Sequence, residues 1–343
     1  MNVQNKFIKK IKKLTFQRIK HQLWGDIALK ILRNTWIYYF LYKSYWHSIL
    51  NSKISNQKKI QKNYMSINVD PGARIGHQMA NYNAGIWHSK KFNLIHAHTP
   101  FPNKKWEKLL GFSASSVSSK KLLNIGYKKV SLPIFNEKKN IEISKIKEII
   151  HSYGNQKVIF FLEFNQGYEN QYEIADNLKE KFFTSIQRKN DKLIYKKKFF
   201  NIAVHIRAGD ILHNKKILEQ RFLNIDYFIK TIKKSLSIIK TKKKIVIHIF
   251  SERWIKSFSR LAQFNNIKFC HNLNQYKTFL HFIYADLLIT SKSSFSYKAA
   301  LISKGIKISP KNFWHGYPKN NKTWILANSN GKIAGYNQKI IIK

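Results

Sequence analysis

The chain has 343 residues, 43% of them hydrophobic and 14% aromatic, enough to bury a large core and to build two domains of ordinary size, which excludes a disordered tail. Sixty-three Lys and Arg stand against seventeen Asp and Glu, a formal net charge of +46 that suits polyanionic partners: nucleic acid, anionic membrane or phosphorylated substrates. Only eight of the basic residues are Arg, and Ile and Asn are also abundant, which is the usage an AT-rich coding sequence imposes without any selection for binding.

Residues 1–63 carry fourteen Lys and Arg, Lys6, Lys9, Lys10, Lys12 and Lys13 among them, against the one acid Asp26, and read as a basic helical arm. Its second half holds seven aromatics between Trp36 and Trp46, yet Lys30, Arg33 and Lys43 interrupt the apolar run well short of the ~20 residues a bilayer span needs. Two readings stay open. The helix either lies in the lipid interface, where the rings suit the headgroup zone and each lysine near anionic lipid adds about 1 kcal/mol, or packs its aromatic face on the body of the protein. The hydrophobic stretch comes late and is studded with charge, unlike a cleaved signal peptide.

Beyond the arm, short β-branched runs alternate with longer helical patterns, the signature of an α/β fold. Strands are predicted at 92–96, 157–162, 200–206, 245–250, 286–290 and 306–309, and helices near 78–91, 142–152, 173–186, 226–239, 253–263, 274–283 and 294–303. Two domains result, 64–198 and 199–320, followed by a C-terminal tail at 321–343. With six prolines and thirteen glycines no flexible linker marks the boundary, which is placed by the Lys-rich stretch 188–198.

Three segments carry chemistry. NIAVHIRAGD at 201–210 is an apolar strand ending in His205, Arg207, Gly209 and Asp210, and ligands of open α/β sheets sit at the carboxyl ends of strands. His205 and Arg207 fall on one face of an extended segment. The Arg207 guanidinium is a planar fork suited to a pyrophosphate, while Asp210 either accepts from a ribose hydroxyl or pairs locally with Arg207. At 285–303, ADLLITSKSSFSYKAALIS, a strand runs through Ser291, Ser293, Ser294 and Ser296 into a helix start, where free amides and the helix dipole favour a phosphate; plain N-capping is the alternative. In the third, PGARIGHQMANYNAGIWH at 71–88, Gly72 and Gly76 flank Arg74 before a helix, either a ligand loop or a plain turn.

The single Cys270 leaves no disulfide and no cysteine-only zinc site, fitting a reducing compartment. No HExxH, CxxC or carboxylate cluster completes a ligand set around His96 and His98, so no metal is expected. No RNP, helix-turn-helix or zinc-finger signature supports specific nucleic-acid binding.

These segments resemble the bacterial α1,2-fucosyltransferases and the wider superfamily with the α1,6- and protein O-fucosyltransferases. The counterparts of its motifs are GARIGHQM at 72–79, HIRAGD at 205–210, HIFSE at 248–252, SKSSFSYKAAL at 291–301 and ISPKNFW at 308–314, in the family's order over about 240 residues. The resemblance implies an α/β, GT-B-like fold with two Rossmann-like domains facing a cleft. The domain 64–198 would lie on the acceptor side and 199–320 would bind the nucleotide sugar. It implies GDP-fucose as donor, no metal or other cofactor, and an inverting transfer. By the same resemblance Arg207 would hold the pyrophosphate and stabilise the leaving group, His205 would line the guanine or ribose pocket, and Ser293, Ser294 and Phe295 would form the phosphate turn, with Gly76, Asp210 and Asp286 nearby. This chain departs from the family pattern at His77 (usually Asn), Ala208 (often a second Arg), Glu252 (usually Asp), and Tyr297 and Lys298 (usually aromatic). For a general base the candidates are Glu163 and His77, beside the role being vacant. The expected partners are a nucleotide sugar, a glycan or lipid-linked glycan acceptor of surface polysaccharide synthesis, and an anionic membrane surface met by residues 1–63. The expected location is cytoplasmic, peripheral on the inner face of the membrane. Another nucleotide sugar, or a non-catalytic polyanion-binding role, is the alternative.

Overall fold

A computed structural model of the chain describes residues 31–32, 35, 37–52, 63–114, 116–209, 215–271, 273–319, 321–333 and 340–342. Most of the arm, with Trp36, therefore lies outside the described residues, as does Asp210.

Two parallel sheets organise the chain. The first contains β1 (Tyr64–Ile67), β2 (Ile95–His98), β3 (Val117–Ser118), β4 (Lys128–Ser131) and β5 (Val158–Leu162), in the order β3-β2-β1-β5-β4. The second contains β6 (Phe199–His205), β8 (Lys244–Phe250), β9 (Ile267–Phe269), β10 (Leu287–Ile289), β11 (Ile306–Pro310) and β12 (Trp324–Ala327), in the order β12-β11-β10-β6-β8-β9. A small pair joins β7 (Ile239–Thr241) to β13 (Ile340–Ile342). The central strands are nearly unbroken apolar runs, VIFFL in β5 and LLI in β10, because both faces of a parallel strand are covered.

Among the described residues the α-helices are α1 (Ile37–Phe40), α2 (Lys43–Leu50), α3 (Ile75–Lys91), α4 (Lys104–Leu110), α5 (Ser119–Asn124), α6 (Asn140–Ser152), α7 (Ala175–Thr184), α8 (Lys215–Arg221), α9 (Ile225–Ile238), α10 (Gln275–Tyr284) and α11 (Ser294–Ile302). Local chemistry starts several of them: Asn103 Oδ1 accepts from Lys105 N at 2.9 Å, Asn224 Oδ1 from Asp226 N at 3.0 Å and Asn274 Oδ1 from Lys277 N at 3.0 Å. The first sheet packs β1 and β5 against α6 through Phe160, Ile146 and Ile149, and the second packs β6, β8 and β10 against α9 through Tyr227, Phe228 and Ile232.

One core belongs to both halves. Ile75, Met79 and Tyr82 of α3, Trp106 of α4 and Leu178 and Phe182 of α7 pack with Phe279 and Phe282 of α10 and Tyr297 and Leu301 of α11. A buried polar tie crosses the same layer: Gln171 Oε1 accepts from Asn83 Nδ2 at 3.0 Å and from Lys298 Nζ, whose amine is fully buried and whose pKa desolvation drives well down. The Lys-rich connection is not a free tether, since Ile194 N donates to His281 Nε2 at 2.9 Å and Tyr195 Oη to His281 O at 3.1 Å.

The α/β, two-sheet expectation holds, with local differences. The strand predicted at 92–96 is β2, at 95–98, because α3 continues to Lys91 and Asn93 turns the chain at φ 55°. The helix predicted at 253–263 is a 3₁₀ stretch at Lys256–Gln263. The segment assigned to a C-terminal tail supplies β12, where Ile308 pairs with Ile325, and β13. The aromatic segment of the arm packs on the first half: Tyr38 and Tyr39 are buried, Ser44 Oγ donates to Ser131 O at 2.7 Å and His47 stacks on Tyr153 at 3.8 Å. Its other face, with Ile37, Leu41, Trp46, Ile49 and Leu50, is exposed.

Burial leaves several histidines neutral. Desolvation is the main cause of pKa values lowered to about 3 at His88, His96 and His205 and to about 4 at His248. The unfolded chain takes up those protons near pH 6.5 and the folded chain does not, so stability is full above pH 6.5 and is lost as pH falls from there towards 3–4. We expect each such histidine to cost up to about 1.4 kcal/mol per pH unit below 6.5, read as a steep fall in melting temperature between pH 7 and 5 that His88→Gln makes shallower.

Candidate active site

In the second sheet the chain runs from β6 to β8 on one side and returns to β10 on the other, which makes the gap between β6 and β10 a topological switch point, the usual place for a ligand crevice. The loop bearing Arg207 leaves β6 there and the serine turn leaves β10. Arg207 Nη1 donates to Ser293 Oγ at 3.2 Å, so the two segments singled out in the sequence meet.

Both helices that start at this point lack the side-chain caps seen elsewhere. Ser293 is the N-cap of α11 and Arg74 that of α3, and neither side chain bonds its own helix. Ser293 Oγ is turned to Arg207 instead. The first helical amides, Ser294, Phe295 and Ser296 of α11 and Ile75 and Gly76 of α3, have no acceptor among the described hydrogen bonds, whereas Tyr297 N reaches Ser293 O and Gln78 N reaches Arg74 O. A helix start carries roughly half a positive charge, so two of them and a guanidinium face one space.

That space is a cavity of about 730 Å³, within the size range of small-molecule sites. Its lining joins both halves: Arg74, Gly76 and His77 from the first, and His205, Arg207, Ser293, Ser294 and Phe295 from the second. Gly76 allows the approach. A Cβ at Gly76 would lie 2.9 Å from Ser294 Cβ and 3.1 Å from Phe295 N. Gly209 adopts φ 150° beneath the Glu252 carboxylate, a backbone angle that other residues rarely take.

The histidines around the turn act as neutral scaffolds. His205 Nδ1 pairs with Ser291 Oγ at 3.0 Å, and burial followed by the Arg207 charge keeps the ring unprotonated at neutral pH. His315 is held neutral by burial and then by the Lys298 charge. Its Nε2 accepts from Trp314 Nε1 at 3.0 Å and lies 3.0 Å from Ser294 Oγ, while the ring stacks on Tyr297 at 4.2 Å. Phe295 packs its ring on Phe279 at 5.2 Å and Phe282 at 5.9 Å, anchoring the turn in the shared core.

Not every expected residue is here. Asp286 precedes β10 at the opposite, amino-terminal edge, where its Oδ2 accepts from Asn201 N at 2.7 Å and ties β6 to β10. Glu163 follows β5 and accepts from Asn68 Nδ2 at 3.4 Å; it is not among the cavity's lining residues. The carboxylate in the lining is Glu252, 4.0 Å from Arg74 across the mouth. Arg221, His271, Gln275, Thr278 and Trp314 also line the cavity. The Trp314 position lies in the ISPKNFW segment, but nothing in the local sequence marks Arg221, which arrives from a separate helix. Of the histidines considered for a metal, His98 bonds Glu107 at 2.7 Å, and among the described residues no group of three His, Cys, Asp or Glu is placed to hold one.

Replacing Gly76 with Ala forces the α3 and α11 starts apart. We expect at least a tenfold loss of nucleotide affinity, with a stability cost of about 1–3 kcal/mol, measured by calorimetric titration and thermal melting.

A family model described as glycosyl transferase family 11 matches residues 28–325. Among solved structures the chain is similar to POFUT1 in complex with GDP, at 11% identity and TM-score 0.45 over 72% of this chain and 98% of that one. It is similar to the NodZ α-1,6-fucosyltransferase co-crystallised with GDP, at 11% identity and TM-score 0.42 over 75% and 97%. Fucosyltransferase NodZ from Bradyrhizobium follows at 8% identity and TM-score 0.40, over 71% and 94%. No curated protein matches the sequence. The family match takes in the first sheet, all of the second but the end of β12, both uncapped helix starts and Arg207, and the chain belongs to glycosyl transferase family 11, a glycosyltransferase of the fucosyltransferase kind.

Proposed function

We propose that the protein transfers fucose from GDP-fucose to a hydroxyl of a glycan acceptor, with the diphosphate bound between Arg207 and the Ser293–Phe295 turn. The observation that carries this reading is the convergence of a guanidinium and two uncapped helix starts on one cavity at the switch point. Family membership and the five ordered motifs favour GDP-fucose as the donor.

In the reaction the bond between the sugar's C1 and the diphosphate oxygen breaks, the electron pair leaves with GDP, and the acceptor oxygen bonds to C1 from the opposite face. Negative charge grows on the diphosphate as it departs. Arg207 and the amides of Ser294, Phe295 and Gly76 are fixed before the reaction, so they stabilise that charge without reorganising. His205, neutral and hydrogen-bonded to Ser291, shapes the wall beside the nucleotide without adding charge. The acceptor proton passes to a group in the lining, and His77, Glu252 and His271 are side chains there that can take it.

GDP at 100 times its dissociation constant should stabilise the protein by about 2.7 kcal/mol, and Arg207→Ala should abolish the melting-temperature shift while equimolar phosphate gives little in either form. A panel of donor sugars, assayed for release of GDP or UDP, tests the fucose assignment; turnover with a UDP-sugar and none with GDP-fucose would sink it.

We propose further that the acceptor is a lipid-linked glycan met at a membrane surface. The support is the exposed apolar face of α1 and α2, with Leu41, Trp46 and Leu50, on a chain of net charge +46. No described helix is long and apolar enough to cross a membrane. In cosedimentation with anionic vesicles, Leu41→Glu with Leu50→Glu should release the protein into the supernatant without lowering its melting temperature. Unchanged sedimentation of that variant removes the helix face as the contact.

A further inference from the structure

We propose that Arg221 is a second guanidinium on the donor diphosphate, beside Arg207. The inference rests on the nucleotide-diphosphate reading given above.

The β6 loop delivers a single guanidinium, because the residue after Arg207 is Ala208, fully buried and uncharged. Arg221 ends α8 and lines the same cavity. Its guanidinium carbon sits 4.5 Å above the Trp314 ring. That ring is itself held: Trp314 Nε1 donates to His315 Nε2 at 3.0 Å, the same nitrogen is 3.0 Å from Ser294 Oγ, and His315 stacks on buried Tyr297 with planes 12° apart. A continuous set of contacts therefore links Arg221 to Ser294, as one hydrogen bond links Arg207 to Ser293.

Stacking engages the face of a guanidinium and leaves its edge, where the donors point, directed along the ring surface. Trp314 is 49% exposed, so this shelf opens on the cavity and is not sealed in the core. Arg207 and Arg221 thus line one cavity with Ser293 and Ser294, two forks for the two phosphoryl groups of a diphosphate. Arg74, the third arginine of the lining, is 72% exposed at the mouth and 4.0 Å from Glu252, a position less suited to a desolvated phosphate.

Calorimetric titration of the full chain with GDP and GMP at fixed salt tests the assignment. Arg221→Ala should weaken GDP about 10–100-fold and GMP less than about threefold, with Arg221→Lys recovering only part of the loss because an ammonium lacks the fork. The melting temperature of the ligand-free protein should fall by no more than a few degrees, the loss of the contact with Trp314. Trp314→Ala should lose part of the GDP affinity, as expected of a positioning residue. GDP affinity in Arg221→Ala within about twofold of the parent overturns the proposal. So does an equal loss of GDP and GMP, or a lowered melting temperature that accounts for both. If the parent chain binds neither GDP nor UDP, the diphosphate reading falls and Arg221 with it; if the parent binds and only Arg207→Ala fails, Arg221 alone is wrongly assigned.

Discussion

The site depends on how closely two helix starts can approach each other. Gly76 has no side chain, so the first turn of α3 rests against the backbone of Ser294 and Phe295 at a distance that no methyl group could share. The partial charge of a helix end falls off within one turn, so amides from two helices reinforce each other only if they reach the same ligand. Contact at Gly76 brings the two helix starts to that distance across the two halves of the molecule. Both helices forgo the cap that Asn103, Asn224 and Asn274 give to others in the same chain, and the amides left open at α3 and α11 are those aimed at the cavity.

Charge at the site is carried by arginine, not lysine. Among the described residues the lining contains three of the chain's eight arginines and no lysine, although lysine supplies almost all of the net charge of +46. Lysine costs little where its ammonium stays in water, whereas a guanidinium keeps its charge when desolvated and offers a fork that matches a phosphate. The histidines next to these arginines are held neutral by burial, and they serve as fixed acceptors and stacking surfaces that keep the serine turn in place.

The parallel α/β architecture was legible in the sequence because buried parallel strands are apolar throughout, and β5, β6, β8, β10 and β11 stand out as such runs. β1 and β12 did not, since YMSI and WILA are four residues long and lie beside charged or aromatic segments that mask them. At the site, His205, Arg207 and the serines could be read because a strand end and a helix start are local patterns. Arg221 and Glu252 could not be ranked, since their roles come from which loops meet in space. Asp286 shows the converse error: it is close to the serine turn in sequence, yet one strand length separates it from the cavity because it stands at the far edge of the sheet.

The core shared by α3, α7, α10 and α11 bears on how the molecule can move. Swinging the halves apart as rigid shells would strip water-free packing from Met79, Leu178, Phe182, Phe279 and Leu301, each worth about 1.5–3 kcal/mol when fully exposed. A hinge of that kind costs on the order of 10 kcal/mol. Loosening the rim asks far less, because the Arg74 and Glu252 pair at the cavity mouth is solvated and parts at little cost.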